Sequence, residues 1–411
     1  MTTRRLSETL HRSLVPGVEG LALLAGIEAV VRGTVLSAFP LLMYRAYGDA
    51  ALVSRFYFGV GICSLAAVLM APQLIRHLPR MWVYSGGVAL YIVAAVLGMI
   101  GGQLTALALL CNALAAATAF VCFNAYVLDF VGKTEFSRLE SLRLLYGGIG
   151  WTVGPFLGVF LLRLWPGAPF VITGSFATLM LVLFWRMNPG EGRVIQRVGR
   201  ASANPLVFLR RFFGQPRLIA GWLFALTRSC GWWVYIVYVG IYAVQSGLPD
   251  TVGGMATSMA NSGLFVAPLM LRWVVKRPVR EAVRFGFLTC GIAFILGTVL
   301  SPMPWPTIAV LLLGSFALVL LDICGGLPFL MSVKPSQRTE MSAVYSSFRD
   351  VSGIVSPGIA WLVLKVAPLP AIFAVTGLGM LAAWAIASQL HPRLGLKRGA
   401  PAGAVPADEM A

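Results

Sequence analysis

The sequence predicts an all-α membrane protein: twelve transmembrane helices in two pseudo-symmetric six-helix halves. Three observations lead there. Of 411 residues, 58% are hydrophobic and only 11% charged, against roughly 25% charged in soluble domains, so polar surface is too scarce to cover a water-soluble core. The apolar residues fall in continuous runs of helical-span length rather than in alternating strands, which excludes a membrane β-barrel. Rare charged residues and prolines recur in order between the two halves of the chain, as after a duplication.

A hydrocarbon core about 30 Å thick takes about 20 helical residues to cross. Apolar runs between charged or Pro/Gly breaks place span one at 20–43, ahead of Arg45, and span two at 51–75, between Asp49 and Arg76. Span three runs over 81–101 from Arg80 to a Gly-Gly pair, and span four over 104–130, short of Lys133. Span five, 144–164, follows the charged stretch ending at Arg143, and span six, 169–186, ends at Arg186. Spans seven to nine are expected at 216–244, 251–275 and 282–301, and spans ten to twelve at 306–332, 341–364 and 369–390. The organisation is an N-terminal six-helix bundle (1–187), a cytoplasmic linker (188–215), a C-terminal six-helix bundle (216–392) and a small, Pro-rich, disordered cytoplasmic tail (393–411).

Charge placement sets the orientation. With both termini cytoplasmic, inward segments hold 25 of the 32 Lys and Arg, outward segments hold Arg45, Arg55, Arg163 and Lys365, and Arg32, Arg228 and Arg349 lie at membrane depth. That is the positive-inside bias, so a multi-pass protein of the cytoplasmic (inner) membrane with an even number of spans is expected. The net charge of +17 follows from orientation and anionic lipid and calls for no nucleic-acid partner. The N-terminal apolar stretch is too long and too charged for a cleaved signal. Six cysteines, at 63, 111, 122, 230, 290 and 324, lie in spans without a CxxC pair, as small buried hydrophobes rather than disulfides or metal ligands. His11, His77 and His391 sit at span edges or in termini, and neither HExxH nor a Walker sequence occurs. Nothing here assembles an intramembrane enzyme or an ATPase, and no cofactor is implied.

The repeat is specific. "APQLIRHLPR" (71–80) after span two matches "APLMLRWVVK" (267–276) after span eight, and Arg32 and Arg228 share their offset of 196. Arg138 and Glu140 match Arg338 and Glu340 at 200, and Pro155 matches Pro357 at 202. Two six-helix halves around a central site is a transporter architecture.

In these segments the chain resembles the major facilitator superfamily (MFS), over nearly its whole length. The family's signature between spans two and three is G-x-x-x-D-[RK]-x-G-[RK]-[RK]; Arg76 and Arg80 hold two basic positions, while Ala71, Ile75 and Leu78 replace its Gly, Asp and Gly and Pro79 takes the third basic position. "GWTVGPFLG" (150–158) fits the span-five pattern G-x-x-x-G-P-x-x-G, often associated with antiporters. Physically, Gly150, Gly154 and Gly158 make a smooth strip for close helix packing, and Pro155 adds a bend. The resemblance implies alternating access around a cavity lined by spans one, four, seven and ten, with Arg32 and Arg228 across it. Organophosphate–phosphate antiporters of the superfamily have a similar arginine pair in these two spans.

A charge at the bilayer centre costs about 2.5–3.5 kcal/mol on insertion scales, so each needs a partner or a purpose. In "AGIEAVVRGTVL" (25–36), Glu28 and Arg32 share one helical face. Two midplane guanidiniums suit a carboxylate or phosphate, which accept bidentate hydrogen bonds from Arg. The alternatives are structural pairing, Arg32 with Glu28 and Arg228 with a neighbouring carboxylate, or a cation-selective site that uses the arginines as counter-charges. Asp322, in "LVLLDICGG", either neutralises Arg228 or carries a proton, and Glu28 is the other proton candidate; permanent ionisation as structural partners is the competing reading. Asp129, Arg349 and Asp350, nearer the cytoplasm, read with Arg76 and Arg80 as gate or packing charges. In span seven, Arg228, Trp232, Tyr235, Val239 and Tyr242 fall on one face, a wall for an organic solute or simply core. Asn124 is a candidate cavity amide, and Asn112, about 120° away around the helix, a helix-to-helix hydrogen bonder. The expected function is monomeric secondary transport of a small, anionic organic solute with proton or counter-solute coupling. The runner-up is a proton-coupled multidrug efflux antiporter, which the two arginines disfavour through like charge.

Overall fold

The computed structural model describes residues 17–132, 134–187, 210–333 and 338–390, so most of the expected linker and all of the tail lie outside the described residues. Every regular element among them is helical. In chain order these are α1 (Val18–Tyr47), α2 (Ala50–His77), α3 (Arg80–Ile100), α4 (Leu104–Phe130), α5 (Phe136–Leu164) and α6 (Ala168–Met187). Then follow α7 (Pro216–Gln245), α8 (Thr251–Val275), α9 (Val279–Val299), α10 (Pro304–Ser332), α11 (Phe348–Leu364, preceded by a short helix Arg338–Ser346) and α12 (Pro370–Ser388). Ten of these stretches are long and apolar enough to cross a membrane. The other two are α7, whose Arg, Ser, Trp and Tyr lower its hydropathy, and α11, only 17 residues long.

The breaks have causes. Within α1 the helix stops at Leu36 and restarts at Ala38; Pro40 has no N–H to offer the Leu36 carbonyl four residues back. The same chemistry divides α10, where Pro328 stands four residues after Cys324, the last residue of its long helix. Gly48, with φ +69°, supplies the left-handed conformation that closes α1, and the Asp49 side chain then caps α2 by accepting the Ala51 N–H at 2.8 Å. Pro304 and Pro370 open their helices where a missing N–H costs nothing. α5 begins at Phe136, eight residues before the expected start, because a charged turn stays helical once outside lipid; Glu140 and Arg143 support it as an i,i+3 pair at 2.9 Å.

The chain forms two compact units. The first contains the described residues within Met1–Ala201 together with Ile236–Ser262 and Pro357–Lys365; the second contains those within Ser202–Tyr235, Gly263–Ser356 and Val366–Ala411. Its own core in the first unit is built on α1, α3, α4 and α6 around Tyr84, Tyr91, Tyr126 and Phe184. A cluster of Phe212, Leu218, Phe329 and Met341 serves part of the second. Large apolar side chains such as Leu69, Leu128, Leu164 and Val299 stand exposed on helix surfaces, as they must where lipid is the solvent.

Candidate functional site

The first unit seats α1 on α5 backbone to backbone. A Cβ at Gly150 would lie 2.6 Å from the Ala29 carbonyl carbon, and one at Gly154 2.5 Å from that of Gly33; a Cβ at Gly158 would meet the Thr34 carbonyl oxygen. The glycine strip of the G-x-x-x-G-P-x-x-G segment therefore docks the helix that carries the candidate charges. On that helix, Arg32 Nη1 lies 3.7 Å from Glu28 Oε1, an ion pair too long for a hydrogen bond. The guanidinium sits over the Trp151 ring at 5.2 Å, and the Tyr91 hydroxyl donates to Glu28 Oε1 at 3.2 Å. The Arg32 side chain is 38% exposed, and that of Glu28 12%.

Arg228 is held differently in the second unit. Its Nε lies 3.0 Å from Asp322 Oδ1, at ion-pair distance but off the angle of a hydrogen bond. Its Nη1 donates to the Leu321 carbonyl at 3.4 Å, and its guanidinium lies over the Phe348 ring at 5.3 Å. The other Asp322 oxygen accepts the Trp232 indole N–H at 2.9 Å. Arg228 is 12% exposed and Asp322 36%. The repeat-related arginines thus have unequal partners: Arg228 is closely matched by a carboxylate, whereas Arg32 keeps a loosely held, more open guanidinium.

Of the span-seven stripe, Trp232 is half-buried, whereas Tyr235, Val239 and Tyr242 are buried in this conformation. Asn124 is half-buried, and the side-chain oxygen Oδ1 of Asn112 is buried without a hydrogen-bond partner. Arg80 and Asp129 meet at 2.5 Å, with side chains 8% and 3% exposed, and the guanidinium lies 4.9 Å from the Tyr126 ring centroid. Arg76 is exposed; Arg349 is exposed and lies over Phe348 at 5.8 Å, and Asp350 is half-buried.

Sequence reasoning passed over four residues. Trp151 and Tyr91 partner the α1 charges, and Ser258 and Asn261 of α8 bond the backbone of α5: Phe156 N–H donates to Ser258 Oγ at 2.9 Å, and Asn261 Nδ2 donates to the Trp151 carbonyl at 2.6 Å. The segment Ile236–Ser262 is further fixed within the first unit by the Arg45–Asp250 ion pair, by Ser54 Oγ and the Tyr238 hydroxyl at 2.7 Å, and by Gln245 Nε2 donating to the Tyr44 hydroxyl at 3.2 Å.

These features define an all-helical, multi-pass membrane protein with an arginine–carboxylate pair on the long helices of each of its units. The Major Facilitator Superfamily profile matches residues 21–357. Among solved structures, the nucleoside transporter NupG is 13% identical at a TM-score of 0.70, covering 90% of this chain and 98% of its own. The peptide transporter POT, in complex with sulfate, is 14% identical at 0.71, covering 92% and 95%. A bacterial homologue of the iron transporter ferroportin, in an inward-facing state, is 16% identical at 0.65, covering 90% and 98%. No curated protein sequence gives a significant match. The chain belongs to the Major Facilitator Superfamily: it is a multi-pass secondary transporter and not an enzyme.

Proposed function

We propose that this transporter carries a small organic anion, with a carboxylate or phosphate group, by alternating access between its two six-helix halves. It does so as a monomer in the cytoplasmic membrane, with proton or counter-solute coupling. The observation that carries the reading is Arg32: a mid-span guanidinium 38% exposed, whose carboxylate partner lies beyond hydrogen-bond reach. A midplane cation in lipid needs a purpose, and a planar fork over an aromatic face suits a bidentate oxyanion.

Arg228 supplies the coupling. While Asp322 is ionised it occupies Arg228 and competes with a solute anion. Protonation of Asp322 removes that competitor, so proton and anion bind together. Arg349 is a further cation whose charge reaches Asp322. The sign follows directly: solute binding tightens as pH falls through the Asp322 titration, until the solute itself protonates. Glu28, held by Tyr91, is the second proton candidate.

The test is thermal stabilisation of the purified protein across organic acids, phosphates and cationic dyes. It is followed by binding of the best stabiliser to Arg32→Lys, Arg228→Lys and the exposed control Arg186→Lys. Lysine keeps the charge but loses the fork, and losing a hydrogen bond to a charged group costs about 1.5–3 kcal/mol, roughly ten- to a hundredfold in affinity. Asp322→Asn should bind the anion without the pH dependence and lose gradient-driven accumulation while sparing exchange. Stabilisation by cationic dyes alone, or both cavity variants binding as the control does, would overturn the anion reading in favour of the multidrug antiporter.

A further inference from the structure

Pro155 leaves a hole in the hydrogen-bond ladder of α5. In an uninterrupted helix the Trp151 carbonyl would accept from the N–H of residue 155, which proline lacks. A bare carbonyl within the hydrocarbon region is costly, and in membrane helices neighbouring side chains commonly re-satisfy it. Here α8 does so. Gly254, Ser258 and Asn261, at i, i+4 and i+7, put one face of α8 against the bend. A Cβ at Gly254 would lie 2.7 Å from the Pro155 carbonyl oxygen, so only glycine admits this approach. Asn261 Nδ2 then reaches the Trp151 carbonyl at 2.6 Å, and Ser258 Oγ accepts the Phe156 N–H at 2.9 Å.

We propose that Asn261 is a positioning residue that replaces the donor Pro155 removes, forming with Ser258 a latch between α5 and α8. The latch closes on Trp151, the residue whose ring lies under Arg32, so the solute arm and the α5–α8 contact share one backbone unit. While closed and dry it gives the Trp151 carbonyl the donor that Pro155 withholds. When α8 withdraws during the cycle, the carbonyl of Trp151 needs water in place of Asn261, so opening is tied to wetting.

The experiment exploits the proline. In a variant with the six native cysteines replaced, Val159→Cys places a thiol at the contact; Val159 is buried, and its Cβ is 3.0 Å from a Cβ built on Gly254. Labelling of the purified protein by a hydrophilic maleimide reports how often α5 and α8 part. Asn261→Leu, which cannot donate, should raise the labelling rate about tenfold, the scale of one buried hydrogen bond. Asn261→Ala, smaller and also without a donor, should do at least as much and serves should the leucine variant fail to fold. Pro155→Ala restores an N–H for the Trp151 carbonyl, so on that background either Asn261 substitution should change the rate by less than about threefold, since the two sites are coupled. An equal rise with and without Pro155→Ala, or no rise at all, overturns the latch. No solute is present, so the outcome stands apart from the success or failure of the anion reading.

Discussion

Arg80 and Asp129 show what a buried charge requires of its neighbours. Both side chains are nearly sealed from solvent, and Asp129 Oδ1 has no hydrogen-bond partner, so the pair leans on one contact and on the Tyr126 ring. Removing one partner of such a pair strands the other and costs about 3–5 kcal/mol, whereas replacing both with apolar residues is often neutral. Arg80→Met should therefore lower the thermal unfolding temperature sharply, and Arg80→Met with Asp129→Leu should recover most of it. A double variant as unstable as the single one would mean that the charges serve something other than each other. The same logic separates the two midspan pairs. Glu28 and Arg32 were legible in the sequence because four residues on a helix is one turn. The Arg228–Asp322 pair joins residues on different helices, and sequence names Asp322 for Arg228 while leaving open whether it neutralises the arginine or carries a proton. Trp151 and Asn261 were illegible altogether: their hydrogen bond spans 110 positions and depends on a proline-freed carbonyl that no composition reveals.

At the scale of elements, hydropathy reads lipid and little else. α4 and α8 begin and end where the apolar runs do, because glycine, glutamine and charged residues bound them. α5 overshoots its expected start, since a helix that leaves the bilayer keeps its backbone hydrogen bonds without needing apolar side chains. The breaks before Pro40 and Pro328 were visible as prolines, yet the apolar runs continue through them, and pattern reading followed the runs. The glycine strip of α5 reads in the sequence as a packing surface, and the structure gives it a partner in α1. A side chain at Gly154 would have to displace the α1 backbone, since the Cβ lies 2.5 Å from Gly33. Gly154→Val should therefore abolish folding or transport. Gly86→Ala in α3, where nothing lies within 4 Å, should be neutral or raise stability by up to about 1 kcal/mol through helix propensity. Expression level and thermal unfolding of the two variants check the contrast.

For the whole molecule, the end of the first unit where α1 passes to α2 and α7 to α8 is fastened by Arg45–Asp250 and Gln245–Tyr44, with the Ser54–Tyr238 pair alongside. Which side of the membrane this is depends on the topology, and the basic residues bear on that. With 25 Lys and Arg on one side, four on the other and three at depth, reversing the protein would place the 25 on the wrong side of the positive-inside rule. The topology this bias favours puts the region 188–217 in the cytoplasm and turns the Arg45–Asp250 end outward, an expectation open to test. Single cysteines on a background without native thiols test both statements in intact cells with a membrane-impermeant maleimide. Ala201→Cys in the linker should label only after the membrane is permeabilised, and Gly102→Cys, in the turn between α3 and α4, should label from outside. Labelling of the linker in intact cells would reverse the protein. The fastened end would then face the cytoplasm.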